Sequence, residues 1–210
     1  MGEALNGEPA GTEINRTGKR ALLIFAHPVP ESFSAALHDA TREALGKGGW
    51  HVDDCDLNAE GFDPILSTQE RRGYHDLETN TQPVKCYVDR LRAANALVFV
   101  YPVWNFGYPA ILKGFFDRVF LPGVSFKLVN GKVAPNLNHI KKMAVVTTYG
   151  GTRLSATLAG DPPRAHMTRS VRYITRGAPM EYLALYDMNR ASDQKRASFL
   201  HTVTQTMERF

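Results

Sequence analysis

Four nearly unbroken apolar stretches recur along the chain: ALLIFA at 21–26, ALVFVY at 96–101, MAVVTT at 143–148 and MEYLALY at 180–186. A strand covered on both faces has no polar side to show, so it reads as a continuous run rather than as an alternation. A fifth, weaker strand is expected at 50–57, where Asp53, Asp54 and Asp56 interrupt the pattern. Helical periodicity fills the intervals. After AHPVPES, residues Phe33, Ala36, Leu37, Ala40 and Ala44 share a helical face that stops at the glycines of 46–49. A helix is expected over 84–95, and another after Pro109 with Leu112, Phe115, Phe116, Val119 and Phe120 inward. Residues 164–176 are read as helical, and Ser192 as the cap of a last helix that turns Leu200, Val203, Met207 and Phe210 inward. The polar stretch 58–82 is an insert, functional or partly helical, and Asn130-Gly131 sits in a hairpin at 126–133.

Strands that are apolar throughout and separated by helices make a parallel sheet with helices on both faces. Five such strands fit an α/β, doubly wound, flavodoxin-like sheet of order 2-1-3-4-5, which binds ligands beyond the carboxyl ends of its strands. The expected organisation is a disordered tail at 1–19 and a single domain at 20–210. Two cysteines without metal or disulfide spacing, and no apolar run of membrane length, point to a cytoplasmic protein. A net charge of +4 without any basic block excludes a nucleic-acid arm.

Three loops leave carboxyl ends of strands. The first, after Ala26, runs His27-Pro28-Val29-Pro30-Glu31-Ser32-Phe33-Ser34 into a helix N-terminus. Free amides there make a phosphate site, with His27, Ser32 and Ser34 as added donors; plain capping by Ser32 explains the same residues. The second places Trp104, Asn105, Phe106 and Gly107 after Tyr101. So many rings in a turn either cover a flat ligand or pack on a partner copy. The third, Thr148-Tyr149-Gly150-Gly151, offers amides with room for close backbone approach, or an ordinary strand-to-helix turn. No GxGxxG or phosphate-loop motif occurs. One phosphate site and two backbone-rich loops on one edge describe a pocket for a flavin nucleotide.

The segments AHPVPESFSAAL, GFDPILS and YPVWNFGYPAILKGFFDRVF, with LPGVSF and TTYGG, resemble the NAD(P)H:quinone oxidoreductase family from residue 21 to about 126. The resemblance implies one non-covalent FAD or FMN per chain. Its phosphates fall to His27, Ser32, Phe33 and Ser34, and its ring system to Pro102, Val103, Trp104, Asn105 and Phe106. The glycine pair of the motif matches Gly150 and Gly151, after Thr148 and Tyr149. Two positions depart from the family pattern. Glu31 replaces a small hydroxyl residue, and Ala156 and Asp161 stand where a Tyr and a His flank the flavin O2. Tyr149 or Arg153, with backbone amides, then carries the catalytic stabilisation of the reduced ring.

The implied activity is an NAD(P)H dehydrogenase (quinone): NADPH or NADH reduces the flavin through N5, and a quinone or similar acceptor follows in ping-pong order. A homodimer that completes the pocket is implied with it. A flavodoxin-type electron carrier and a regulatory ancillary subunit of an ion-efflux system are the alternatives. Of the remaining features, His166, Arg169, Arg172 and Arg176 share a helical region with the three arginines on one face, read as solvated rather than as a site for a nucleotide 2′-phosphate or an acidic partner. Asp53, Asp54 and Asp56 are read as a solvent-facing strand end, Lys113/Asp117 as local helix support, and Cys55 and Cys86 as buried spectators.

Overall fold

The computed structural model describes residues 18–210; residues 1–17, and with them nearly all of the expected tail, lie outside the described residues. Lys19 already belongs to the sheet edge, where its carbonyl accepts the His51 N–H at 2.8 Å. The five expected strands form β1 (Arg20–Phe25), β2 (His51–Asp56), β3 (Ala96–Val103), β6 (Lys142–Tyr149) and β7 (Met180–Leu185). They pair in the order β2-β1-β3-β6-β7, every pair parallel, which is the expected 2-1-3-4-5 arrangement. A separate two-stranded hairpin joins β4 (Phe126–Val129) to β5 (Lys132–Pro135) through Asn130 and Gly131, at φ 51° and 74°. Two positive φ angles in succession are what a tight hairpin turn requires, and Asn-Gly supplies them at low cost.

Alternate residues of β1 show why its run is unbroken. Leu22 and Ile24 enter one core with Val88 and Leu91 of α3 (Lys85–Ala93) and Leu112 and Phe115 of α4 (Ala110–Val119). Ala21, Leu23 and Phe25 enter the other, with Leu37 and Leu45 of α1 (Phe33–Lys47) and Val203 and Met207 of α8 (Asp193–Glu208). Both faces are covered, so neither needs polar residues.

The inward face of α1 is Ser34, Leu37, His38, Thr41, Ala44 and Leu45, while Ala36 is exposed and Phe33 and Ala40 are half-buried. Apolarity misled here because three polar side chains, Ser34, His38 and Thr41, take core positions. The His38 ring stacks on Phe25 at 4.3 Å, and its Nε2 lies 2.7 Å from Asp54 Oδ1. The aspartates of β2 are likewise paired rather than open to solvent. Asp53 receives Arg20 at 2.7 Å and Arg90 Nε at 2.9 Å, and Asp56 caps the turn that follows by accepting from Asn58 and Ala59 N–H. Cys55 is buried as expected, but Cys86 is exposed.

One further expectation needs correction, whereas the insert is partly helical as expected. Residues 164–176 do not form one helix. They divide into α6 (Pro162–Ala165), a wider π-type turn (His166–Val171) and α7 (Arg172–Ile174). The insert carries its own helix α2 (Thr68–Arg72), begun by a capping box in which Ser67 and Glu70 satisfy each other's amides. The insert packs tightly on α4 at Gly114, where a Cβ would lie 2.3 Å from the Pro64 carbonyl oxygen.

Candidate functional site

The carboxyl edge of the sheet is stepped. Pairing of β1 with β3 ends at Phe25–Val100, whereas β3 and β6 continue side by side to Val103–Tyr149. The loop after β1 therefore leaves the sheet earlier than the loops after β3 and β6, at the switch point where sheets of this kind bind ligands.

In the first loop, Ser32 caps α1: its Oγ accepts the Ala35 N–H at 3.1 Å. His27 Nδ1 accepts the Val29 N–H at 3.1 Å, so that ring is engaged within its own loop. The capping alternative is thus realised, yet it leaves two donors over. The amides of Phe33 and Ser34, first in the helix, have no partner among the described residues. Both point along a 15-residue helix whose N-terminus carries partial positive charge. Ser34 is buried, Phe33 half-buried, and Glu31 is exposed.

The second loop is a closed tight turn. Trp104 and Gly107 exchange backbone hydrogen bonds at 3.1 and 2.8 Å, with Asn105 at φ 49° and Phe106 at φ 55° between them. A left-handed phenylalanine costs about 1–2 kcal/mol, so the turn holds this ring against its local preference. Trp104 and Phe106 are 43% and 45% exposed, and the amides of Asn105 and Phe106 are unpartnered among the described residues. Trp104 meets His27 edge-on with ring centres 5.5 Å apart, which brings the first two loops together. Pro102 and Val103, expected in the loop, are the buried last residues of β3.

The third loop begins at Thr148 and Tyr149, which end β6; both are buried, and Tyr149 is 2% exposed. Its ring turns beneath the loop: the hydroxyl donates to Asp161 Oδ1 at 2.7 Å and lies 2.9 Å from the Tyr182 hydroxyl. Tyr186 stacks on it at 4.4 Å. Burial first, then Tyr182 and Asp161, push the Tyr149 phenol well above its ordinary range, so it stays protonated as a donor. Gly150 and Gly151 keep unpartnered amides, while the Asp187 N–H holds the Gly151 carbonyl at 2.7 Å. Arg153 is the exposed first residue of α5 (Arg153–Leu158).

Asp187 and Asn189 carry no motif in the sequence, and His166, expected with the arginines of 164–176, meets Tyr108 instead. Asp187 and Asn189, beyond β7, brace the glycine pair. The Tyr108 hydroxyl donates to the Pro163 carbonyl at 2.8 Å and lies 3.0 Å from His166 Nδ1. Burial, followed by Lys113, lowers the His166 pKa and favours its neutral ring. Long-range tyrosine hydroxyl contacts of this kind leave no local pattern in a sequence. Arg169, Arg172 and Arg176 are exposed and line an open cleft of about 530 Å³ beside Tyr173, away from this sheet edge.

A ligand that fits must bring acceptors to the Phe33 and Ser34 amides, more acceptors to Asn105, Phe106, Gly150 and Gly151, and a flat surface for Trp104 and Phe106. A flavin nucleotide has a phosphate, a polar pyrimidine edge and a planar ring system, so the donor set matches it.

Comparison with known proteins agrees. Residues 19–208 match the family model described as "Flavodoxin-like fold". The chain is 32% identical over 148 residues to NAD(P)H dehydrogenase [quinone] 1 of Rattus norvegicus, covering 63% of this chain and 54% of that protein. The alignment thus spans little more than half of that relative's length. Among solved structures, Smu.1420 from Streptococcus mutans UA159 superposes with a TM-score of 0.82 at 28% identity, covering 91% of this chain and all of the other. An NAD(P)H:quinone oxidoreductase from Methanothermobacter marburgensis superposes with a TM-score of 0.77 at 25% identity, covering 91% and 98%. Sheet order, the stepped carboxyl edge and these likenesses lead to one assignment: the chain belongs to the flavodoxin-like fold family, among relatives that include NAD(P)H:quinone oxidoreductases.

Proposed function

We propose that this protein is a flavin-dependent NAD(P)H oxidoreductase that passes two electrons to a quinone or a similar acceptor. The observation that carries the reading is the set of six unpartnered amides on three loops of one sheet edge, flanked by the half-exposed rings of Trp104 and Phe106. The names of the relatives support it.

When bound, the flavin supplies the redox chemistry, taking electrons from the nicotinamide and returning them to the acceptor. The chain supplies binding, orientation and charge. The Phe33 and Ser34 amides, at the positive end of α1, hold the phosphate, with Ser32 fixing the helix start. Asn105 and Phe106 present amides from a turn that is already closed, so little ordering remains to be done on binding. Gly150 and Gly151 present theirs without side chains in the way, where negative charge that gathers on reduction is stabilised. Tyr149 acts from below as a support of that loop, and Arg153 adds a cation at its exposed end.

Trp104 and Phe106, together with Leu128 and Val133 of the hairpin, are exposed apolar surface. Cover by a second copy gives a homodimer in which these residues face the partner. Among the described residues no helix is long and apolar enough to cross a membrane. The test is to reconstitute the protein with FMN and, separately, with FAD, and to measure bound flavin and turnover of NADPH and NADH with a benzoquinone. One flavin per chain with quinone-dependent turnover is the expected result. Absence of flavin binding would remove the basis of the reading.

A further inference from the structure

Glycines 150 and 151 have no side chains with which to hold their own position, so the aim of their amides is set by what surrounds them. Two constraints come from the far side of β7: a hydrogen bond from the Asp187 N–H to the Gly151 carbonyl at 2.7 Å, and the bulk of the Asn189 side chain, whose Nδ2 lies 3.0 Å from where a Gly150 Cβ would sit. The third comes from below, through Tyr149, the residue directly before the pair. Its hydroxyl ends on Asp161 Oδ1 at 2.7 Å.

Asp161 occupies an unusual place. It stands at the N-cap of α6, where an aspartate ordinarily accepts a helix amide, yet its side chain makes no such bond. The next two residues, Pro162 and Pro163, have no N–H to offer. The backbone turns left-handed at Gly160 and Asp161, with φ 80° and 42°. An aspartate released from capping and turned inward by a left-handed corner is free for another partner, and that partner is Tyr149. Tyr186 stacks on the Tyr149 ring and brings its own hydroxyl within 3.5 Å of Asp161 Oδ2. Arg164, with its guanidinium over the Tyr182 ring at 4.5 Å and 3.4 Å from the Tyr186 hydroxyl, offsets the carboxylate charge.

We propose that Asp161 is a positioning residue of the flavin site: its carboxylate, through the Tyr149 hydroxyl, fixes the Gly150–Gly151 loop whose amides receive the cofactor. This rests on the flavin reading above. It assigns a purpose to Asp161 and to the Gly-Asp-Pro-Pro corner that a helix cap does not explain.

The test compares Asp161→Asn, which keeps an acceptor oxygen, with Asp161→Ala and Tyr149→Phe, which break the bond from either side. Backbone 15N order parameters are measured in the flavin-free protein, and FMN dissociation constants by titration. Gly150 and Gly151 are expected near about 0.85 in the wild type and the Asn variant, and below about 0.6 in the other two. Phe33 and Ser34 remain unchanged in all four proteins. FMN affinity falls about tenfold in Asp161→Ala and Tyr149→Phe and is retained in Asp161→Asn, the loss being about one hydrogen bond's worth of preorganisation. Loosening spread evenly over the sheet, or no change at Gly150 and Gly151, would overturn the proposal. A wild type that binds no FMN or FAD but shows the same pattern of order parameters would overturn the flavin reading and leave the positioning role standing.

Discussion

Arg118 donates to Glu70 Oε1 from both Nε and Nη2, at 2.9 and 2.7 Å, and its remaining nitrogen reaches the Asp63 carbonyl. One nearly buried guanidinium therefore ties α2 and the preceding loop to α4, the helix that follows the aromatic turn. Removal of one member of a buried ion pair leaves the other without compensation, at a cost of about 3–5 kcal/mol. Arg118→Ala is expected to lose about 3 kcal/mol of stability in urea unfolding, toward the low end of that range because the pair retains some solvent access. Glu70→Gln, which keeps an acceptor, loses less.

Gly114 faces a different constraint. Its missing Cβ would fall 2.4 Å from Pro64 Cα, a contact with backbone that cannot swing away. Gly114→Ala is expected to cost about 1–3 kcal/mol despite the higher helix propensity of alanine. Differential scanning calorimetry of the variant checks this; a raised melting temperature would contradict the close packing of the insert on α4.

The Asp53 carboxyl gives a pH dependence. Burial raises its pKa, but hydrogen bonds from Arg20 and Arg90, and their charges, outweigh burial and hold it below the ordinary value of 3.8. A depressed carboxyl contributes stability that is fully present above its unfolded pKa and is lost as pH falls through its folded pKa. Melting temperature is therefore expected to drop as pH is lowered below about 4. In Asp53→Asn the protein is less stable at neutral pH, and that part of the acid slope is missing. Equal slopes in the two proteins would refute the assignment.

Trp104 separates binding from folding. Its ring is 43% exposed and meets only the edge of His27, so Trp104→Ala is expected to change folding stability by less than about 0.5 kcal/mol. Loss of an aromatic face against the cofactor weakens FMN by about tenfold. Asn105→Asp, which sets a negative charge beside the same amides, also lowers flavin retention. Flavin content equal to the wild type in both variants would remove the second loop from the site.

Much of the architecture is legible because burial writes itself into the sequence. A strand such as 96–101, covered twice, has nothing but apolar residues to show, and Asn130-Gly131 announces its turn through the backbone angles it tolerates. The three loops were legible as strand ends because each follows an apolar run and opens on Pro, Gly or exposed polar residues. What escaped was the polar interior. The ring of His38 against Phe25 and the pairing of Asp53 with Arg20 and Arg90 join residues up to 37 positions apart, and no local periodicity records them. The break within 164–176 was hidden because a π-type turn sits between α-helical turns and carries no residue signature of its own. Tyr149 reads as facing a cofactor because it precedes the glycine pair; only the position of Asp161 shows that its hydroxyl is directed below the loop.

The stepped edge is proposed to hold a flavin that cycles between NAD(P)H and a quinone. The most direct measurement follows the visible absorbance of the flavin-loaded protein in the absence of oxygen, first on addition of NADPH or NADH and then of a benzoquinone. Rapid and complete bleaching by at least one of the two nucleotides, reversed by a stoichiometric amount of quinone, is expected. A flavin that neither nucleotide reduces, or one that the quinone fails to reoxidise, would contradict the proposal.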